Sequence, residues 1–289
     1  DRVTWVPVLA CGQCYYCSHV YLPQFCHNGF FYGFHPVGEP ATVNGGFSEY
    51  LYIRPDTHIV KVPKNISTET ATLLEPFGVG LKAIERALQV VSVQEKEGTN
   101  FGNNTIFVQG AGPIAMSALF ATRMIGQDNT IIMTDLKDHR LKMAKKFGAD
   151  VTLNVSETSV EERQKEILDI TNGEGVDIVL SCSGLNSDEV LREGVDLAKK
   201  GGVFMEIGNF VPGGKNADID LFEICFRELL VLGNFGFNNR NFEKSFNMIE
   251  TLEKLKLGDM VTDSFKLENI SKAMENAMEM GGVKTVITP

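Results

Sequence analysis

The sequence Thr105-Ile-Phe-Val-Gln-Gly-Ala-Gly-Pro-Ile-Ala115 joins a short apolar run to a G-x-G-x-x-A pattern. The apolar run predicts a buried parallel strand, and residues 114–125 predict a helix directly after the glycines. A strand, a glycine-rich turn and a helix N-terminus bring backbone N–H groups close to a pyrophosphate, which the helix dipole attracts. We therefore expect a dinucleotide site whose first contacts come from Gly110, Gly112, Pro113 and Ile114.

A second apolar run, residues 130–134, is followed by Asp135, which lies 25 residues after Gly110. This is close to the expected distance for an acidic residue that binds the adenosine ribose, and a carboxylate there repels a 2′-phosphate. The sequence therefore favours NAD over NADP. In the alternative, basic side chains turn inward and bind that phosphate. Arg140 is the stronger candidate for this role, because Lys137 and His139 are expected on a solvated helix start.

Strands and helices continue to alternate after Asp135. Helices are expected at residues 141–147, 161–171 and 190–199, and strands at 151–155, 176–180 and 202–208. This alternation predicts an α/β fold with a doubly wound parallel sheet of the Rossmann type. Ligands of such sheets bind at the carboxyl ends of the strands, so we expect Ser183, Ile207 and Gly208 to form further walls of the cofactor crevice. The length of 289 residues suits about two domains.

Four cysteines lie within sixteen residues, at Cys11, Cys14, Cys17 and Cys26. Two-residue gaps let a turn direct successive thiolates at one centre, and zinc binds four sulfurs tetrahedrally. The spacing therefore predicts a structural zinc site.

Two other interpretations of these cysteines are weaker. A pair of disulfides would suit a secreted protein, but the sequence shows no signal peptide and no membrane-spanning run, so we expect a reducing cytoplasm. A zinc ribbon that binds nucleic acid conflicts with a formal net charge of -10. We accordingly expect neither a membrane nor a nucleic acid as a partner.

Several motifs along the chain resemble the zinc-dependent medium-chain alcohol dehydrogenases, and most closely the sorbitol and threonine dehydrogenase branch. Eight residues separate Cys17 from Cys26, one more than the family usually has, so the loop must bulge slightly. The resembling segments are Asp1-Arg-Val, the cysteine loop, Gly45-Gly-Phe-Ser-Glu-Tyr50, Val62-Pro63, Leu74-Glu-Pro76 with Gly78-Val-Gly80, the Gly110 loop, Lys146-Phe-Gly-Ala-Asp150 and Lys284.

The resemblance implies that the four cysteines hold a structural zinc and that Glu75 binds a catalytic zinc, directly or through water. Family members carry the other catalytic ligands before the residues that match Asp1-Arg-Val, so the resemblance also implies an N-terminally incomplete catalytic domain. From the residues alone, Glu75 stands in an apolar stretch where a carboxylate is costly unless it is paired. It could instead cap the following helix, with Pro76 at the first helical position.

The architecture implied by the resemblance is a split, mainly β, GroES-like catalytic domain at residues 1–83 and 262–289 around an NAD-binding Rossmann domain at 84–261. The implied assembly is a homodimer or a homotetramer. The expected function is hydride transfer between a secondary alcohol or polyol and NAD, with zinc as a cofactor.

Two alternatives to this function remain. Aromatic side chains in Phe30-Phe-Tyr-Gly-Phe34 and Phe235-Gly-Phe237 could line a pocket for a bulkier apolar alcohol. If the chain truly begins at Asp1, it could instead be a non-catalytic dinucleotide-binding protein.

Overall fold

A computed structural model of the chain describes residues 1–34, 44–95, 103–125, 128–184, 188–208 and 219–289. The chain forms two compact units. The first combines Asp1–Gly78 with Gly236–Pro289, and the second is Val79–Phe235. The domain boundaries expected near residues 83 and 262 stay a prediction.

The first unit begins with short strands that pair in twos. β1 (Val3–Trp5) pairs antiparallel with β4 (Ile59–Lys61), and β2 (Val8–Leu9) pairs antiparallel with β3 (Phe30–Phe31). The cysteine segment contains α1 (Tyr15–Ser18) and a 3₁₀ turn at Pro23–Phe25. α2 (Thr68–Thr72) follows β4, and its N-terminus is capped by Ser67, whose side chain accepts a hydrogen bond from the Thr70 amide. α3 (Leu74–Glu95) comes next along the chain.

Within the described ranges, the second unit contains one six-stranded sheet in which all neighbouring strands are parallel. The order across the sheet is β10-β9-β8-β5-β6-β7, so successive strands run outward from β5 in both directions. The predicted α/β class with a doubly wound parallel sheet is therefore confirmed. The strands are β5 (Thr105–Gln109), β6 (Thr130–Asp135), β7 (Val151–Asn154), β8 (Val176–Ser181), β9 (Ala198–Glu206) and β10 (Leu230–Gly233).

Helices connect these strands and cover the sheet. Because both faces are covered, the central strands are apolar along their length, and Phe107, Ile132, Val179 and Phe204 are fully buried between helices. The helices are α4 (Pro113–Met124), α5 (Asp138–Lys146), α6 (Val160–Ile170), α7 (Asp188–Leu197) and α8 (Leu221–Phe226).

The boundary between α7 and β9 differs most from the prediction. The sequence predicts a helix over 190–199 and a strand from 202, whereas α7 ends at Leu197 and β9 begins at Ala198. Ala198 pairs with Val176 of β8, and the Lys199 ammonium forms an ion pair with Asp177 on the same strand. These contacts join residues more than twenty positions apart, so the helical period of the local sequence could not show them.

The first unit is completed by the C-terminal segment. It contains α9 (Asn239–Asn247), α10 (Ile249–Lys254), β11 (Val261–Lys266), α11 (Ile270–Met278) and β12 (Lys284–Thr288), and β11 pairs parallel with β12. Two 3₁₀ turns, Leu257–Met260 and Leu267–Asn269, flank β11. In the part of the chain that the structure describes, no helix is long and apolar enough to cross a membrane.

Candidate cofactor and metal sites

The glycine loop joins β5 to α4 at the carboxyl edge of the sheet. Gly110 adopts a positive φ of 96°, which favours glycine, and its N–H donates to the Thr134 carbonyl at 2.8 Å. Gly112 caps α4 with extended backbone, and a Cβ at this position would meet no atom within 4 Å. The helix N-terminus with Pro113 and Ile114 in its first turn therefore faces open space, which fits a pyrophosphate.

Asp135 ends β6 beside this loop. Its Oδ2 accepts a hydrogen bond from Ala111 N–H at 2.7 Å, and its Oδ1 accepts one from Lys137 N–H at 2.9 Å. Arg140 Nη1 lies 4.0 Å from Oδ2, whereas the His139 side chain is exposed. Arg140 thus turns towards the acidic residue, and Lys137 contributes its backbone amide. Sequence reasoning could not predict the Ala111 contact, because a backbone amide has no residue-type signature.

Ser183, Ile207 and Gly208 lie on two segments that follow neighbouring strands. The amides of Ile207 and Gly208 both donate to the Ser181 carbonyl, at 2.9 Å and 3.0 Å. A Cβ on Gly208 would overlap the Ser183 carbonyl, and a Cβ on Gly110 would lie 3.5 Å from the Ser183 nitrogen. Glycines at 110 and 208 therefore allow the ends of β5, β8 and β9 to approach closely, and the structure brings these predicted cofactor residues together.

The four cysteines of the first unit form one cluster, with their sulfur atoms all within 4.8 Å of one another. Four sulfurs bound tetrahedrally to one zinc, at about 2.3 Å from the metal, would be about 3.8 Å apart. The Cys14 Sγ lies 3.5 Å from that of Cys17 and 3.8 Å from that of Cys26, and Cys11 N–H points at Cys26 Sγ at 3.3 Å. All four are free thiols, so the cluster fits a closed zinc site.

Backbone donors around the cluster favour thiolates. Hydrogen bonding from the His27 backbone, ahead of other contacts, lowers the pKa of Cys14 to about 6. Burial, as the main cause, raises the pKa of Cys17 to about 12, so in the absence of an ion the Cys14 thiol is more acidic than the Cys17 thiol. The longer loop between Cys17 and Cys26 contains Tyr21 in the left-handed region, with φ of 57°, and the 3₁₀ turn at Pro23–Phe25.

Glu75 lies in the first turn of α3, between residues that are fully buried. Its own side chain is exposed because it lines a cavity of about 440 Å³ within the first unit, together with Arg2, Trp5, Tyr32 and Thr72. Water reaches the side chain through this cavity, yet the surrounding protein atoms desolvate the Glu75 carboxyl and raise its pKa, and the Lys284 charge opposes this shift. The helix-dipole interpretation remains compatible with this position.

A catalytic zinc needs about three protein ligands. Among the described residues, side chains able to share one ion gather only at the four cysteines. The surroundings of Glu75 therefore do not by themselves form a catalytic zinc site.

Comparisons with known proteins identify the family. The family model described as zinc-binding dehydrogenase matches residues 113–254. L-threonine 3-dehydrogenase of Shewanella oneidensis is 30% identical over 288 residues, which cover 99% of this chain and 75% of the relative.

Solved structures show the same fold. An alcohol dehydrogenase of Thermotoga maritima matches with a TM-score of 0.85 at 26% identity, covering 99% of this chain and 75% of the other. A Sinorhizobium meliloti protein, described as a zinc-binding dehydrogenase bound to NADP, has a TM-score of 0.80 at 23% identity and covers 99% and 76%. The family predicted from the motifs is thus confirmed. The chain belongs to the zinc-dependent medium-chain alcohol dehydrogenase family of oxidoreductases.

Proposed function

We propose that this chain transfers a hydride between a secondary alcohol or polyol and NAD. The observation that carries the proposal is the glycine loop, whose open helix N-terminus lies beside the buried Asp135 carboxylate. The L-threonine 3-dehydrogenase relative makes a hydroxy amino acid the first substrate to test. Phe30 and Phe237 are buried against other aromatic rings and support core packing, whereas Tyr32 lines the cavity beside Glu75, so a bulkier apolar alcohol stays an alternative substrate.

The residues at the carboxyl edge of the sheet would each bind one part of NAD. The N-terminus of α4, with Gly112, Pro113 and Ile114, binds the pyrophosphate through backbone N–H groups. Asp135 binds the adenosine ribose with the lone pairs that Ala111 and Lys137 leave available. Ser183, Ile207 and Gly208 line the remainder of the crevice, and Arg140 flanks the ribose side.

The two metal roles differ. The sulfurs of Cys11, Cys14, Cys17 and Cys26 hold a structural zinc, which contributes folding free energy and leaves no open position for substrate. Glu75 is the residue that we assign to the catalytic metal, directly or through water. In a site that further ligands complete, such an ion would supply Lewis acidity that lowers the pKa of a substrate hydroxyl. Glu75 presents its carboxylate to a cavity large enough for a small alcohol.

We also propose a homodimer or homotetramer in a reducing cytoplasm. Leu221, Phe222 and Phe226 of α8 are exposed, and the two phenylalanine rings stack with centroids 5.3 Å apart. They precede β10, which within the described sheet pairs with β9 alone and exposes Val231. An apolar patch near an edge strand is typical of a subunit interface. The four free thiols of the cysteine cluster suit a reducing compartment.

The test combines binding and turnover. NADH and NADPH are titrated by fluorescence, and NAD reduction is then followed with L-threonine, with a polyol and with a bulky apolar alcohol. Tighter binding of NADH and oxidation of a small polar alcohol would support the proposal. Failure to bind either dinucleotide would overturn it, and binding without turnover of any alcohol would favour the non-catalytic alternative.

A further inference from the structure

The Asp135 carboxylate forms a hydrogen bond with the glycine loop, and this contact is present without a bound ligand. The 2.7 Å hydrogen bond from Ala111 N–H to Asp135 Oδ2 is buried, and Ala111 is the residue between the two glycines of the loop. A second bond, from Gly110 N–H to the Thr134 carbonyl at 2.8 Å, joins the same two segments. Two bonds therefore tie the loop to the end of β6, and one of them depends on a side chain.

The carboxylate that holds the loop is itself fixed. Asp135 pairs with Asn154 of β7, and its carbonyl accepts a hydrogen bond from Val155 N–H at 3.0 Å. Its side chain is 7% exposed, and Lys137 N–H occupies the second carboxylate oxygen. A rigid carboxylate that accepts from an amide makes a charge-assisted hydrogen bond, which is stronger than a neutral one.

We propose that Asp135 is a positioning residue for the pyrophosphate-binding loop, in addition to its contact with the ribose. The inference rests on the proposed function, since it concerns the same dinucleotide. By fixing Ala111, the carboxylate fixes the path of the chain from Gly110 into the first turn of α4. Loss of Asp135 should then weaken binding of the pyrophosphate, which the side chain does not touch.

The two roles are separable because they concern different parts of the ligand. A dinucleotide whose adenosine carries a 2′,3′-dideoxyribose has the pyrophosphate but lacks both hydroxyl groups that a carboxylate can bind. If Asp135 acted on the ribose alone, its removal would leave the affinity for this analogue unchanged. If it also positions the loop, Asp135→Ala should raise the Kd of the reduced analogue by about tenfold, the effect of losing one charge-assisted hydrogen bond.

The experiment measures the Kd of NADH and of the reduced dideoxy analogue for the unmodified protein, Asp135→Ala, Asp135→Asn and His139→Ala. His139 is an exposed neighbour and serves as the matched control, for which both affinities should stay unchanged. Asp135→Asn keeps an oxygen that can accept from Ala111 N–H, so it should restore part of the affinity for the analogue. An unchanged Kd of the analogue in Asp135→Ala would overturn the inference.

Hydrogen exchange of the Ala111 amide in the cofactor-free protein provides a readout that needs no ligand. We expect exchange at least about tenfold faster in Asp135→Ala than in the unmodified protein, with the amides of α6 unchanged. Equal exchange rates would contradict the positioning role even if NADH binds. If NADH does not bind the unmodified protein, the proposed function fails, whereas the exchange rates still decide whether Asp135 holds the loop.

Discussion

The carboxylate of Glu253 accepts hydrogen bonds from both the side chain and the backbone amide of Ser67, at 2.7 Å and 3.1 Å, across 186 residues of sequence. Ser67 is the residue that caps α2. The C-terminal segment therefore stabilises a helix of the N-terminal segment, and the first unit depends on both parts of the chain.

Glu253→Gln should lower the stability of the protein at neutral pH by about 1 kcal/mol, because it weakens charge-assisted hydrogen bonds. Hydrogen bonds from Thr70 first, and then from Ser67, lower the pKa of Glu253 below its ordinary value of 4.5. The stability that this group contributes is therefore present above pH 4.5 and lost as the pH falls through the folded-state pKa. Chemical denaturation at pH 7 and at pH 3.5 should show that the free energy of unfolding of the unmodified protein exceeds that of Glu253→Gln by less at pH 3.5. If the two proteins differed by the same free energy of unfolding at both pH values, the negative charge of Glu253 would not be the cause of the stabilisation.

Cys14→Ser should abolish binding of one zinc per chain and lower the thermal stability, because a structural metal contributes directly to folding. Cys225→Ser is the matched control, since Cys225 is an exposed cysteine outside the cluster. Metal analysis and a thermal scan of both variants check the prediction. Equal zinc content in the two variants, or an absence of zinc from the unmodified protein, would refute the assigned metal site.

Asp135→Ala should reduce the preference for NADH over NADPH. The substitution removes the carboxylate that repels a 2′-phosphate and that lies 4.0 Å from Arg140 Nη1, so the net charge near that phosphate becomes more positive. The ratio of the two Kd values should move towards unity by about tenfold or more. Adding Arg140→Ala should reverse part of this change in the ratio. If the unmodified protein binds NADPH more tightly, the NAD assignment is wrong.

Gly112→Ala should weaken NADH binding by about tenfold or more, because the new methyl group enters the space where we place the pyrophosphate, and should cost only about 1 kcal/mol of stability, because alanine is a poorer helix N-cap than glycine. Its φ of −79° suits any residue, and its Cβ would meet no protein atom within 4 Å. Gly208→Ala provides a contrast, since its Cβ would overlap the Ser183 carbonyl and should cost stability. Titration with NADH and a thermal scan distinguish the two. Unchanged NADH affinity in Gly112→Ala would show that the pyrophosphate does not bind at the N-terminus of α4.

Glu75→Gln should stabilise the protein at neutral pH when the cysteine cluster holds its zinc and no metal is bound at Glu75, while damaging turnover in the fully metal-loaded enzyme. Burial raises the pKa of Glu75 above its ordinary value of 4.5, so the ionised form disfavours the fold. The stability of the unmodified protein therefore falls as the pH rises from 4.5 through the folded-state pKa, and the variant escapes this loss. Thermal scans at pH 4 and pH 7 should show the advantage only at the higher pH. If Glu75→Gln oxidised alcohol as fast as the unmodified enzyme, Glu75 would not be a catalytic residue.

The elements predicted best are those that local sequence specifies. β5 occupies the residues expected for it, Thr105–Gln109, because an apolar run stops at a glycine that must adopt a positive φ. The four cysteines meet as their spacing predicts, because a short loop limits how far apart their sulfur atoms can lie. The sequence predicts element boundaries less accurately where residues distant in sequence set them. β9, for example, begins at Ala198, four residues before its predicted start, because Ala198 pairs with Val176 of β8.

By itself, the sequence determined the alternation of strands and helices, the position of the glycine loop and the composition of the cysteine cluster, since each depends on neighbours within a few residues. The tertiary structure decided which groups distant in sequence come into contact. Examples are Asp135 with the Ala111 amide and Ser67 with Glu253. A third is the buried ion pair in which Arg163 Nε lies 2.7 Å from Glu193 Oε1. Those contacts depend on the order of the strands and the packing of the helices, because only the folded chain brings such distant residues within the reach of a hydrogen bond.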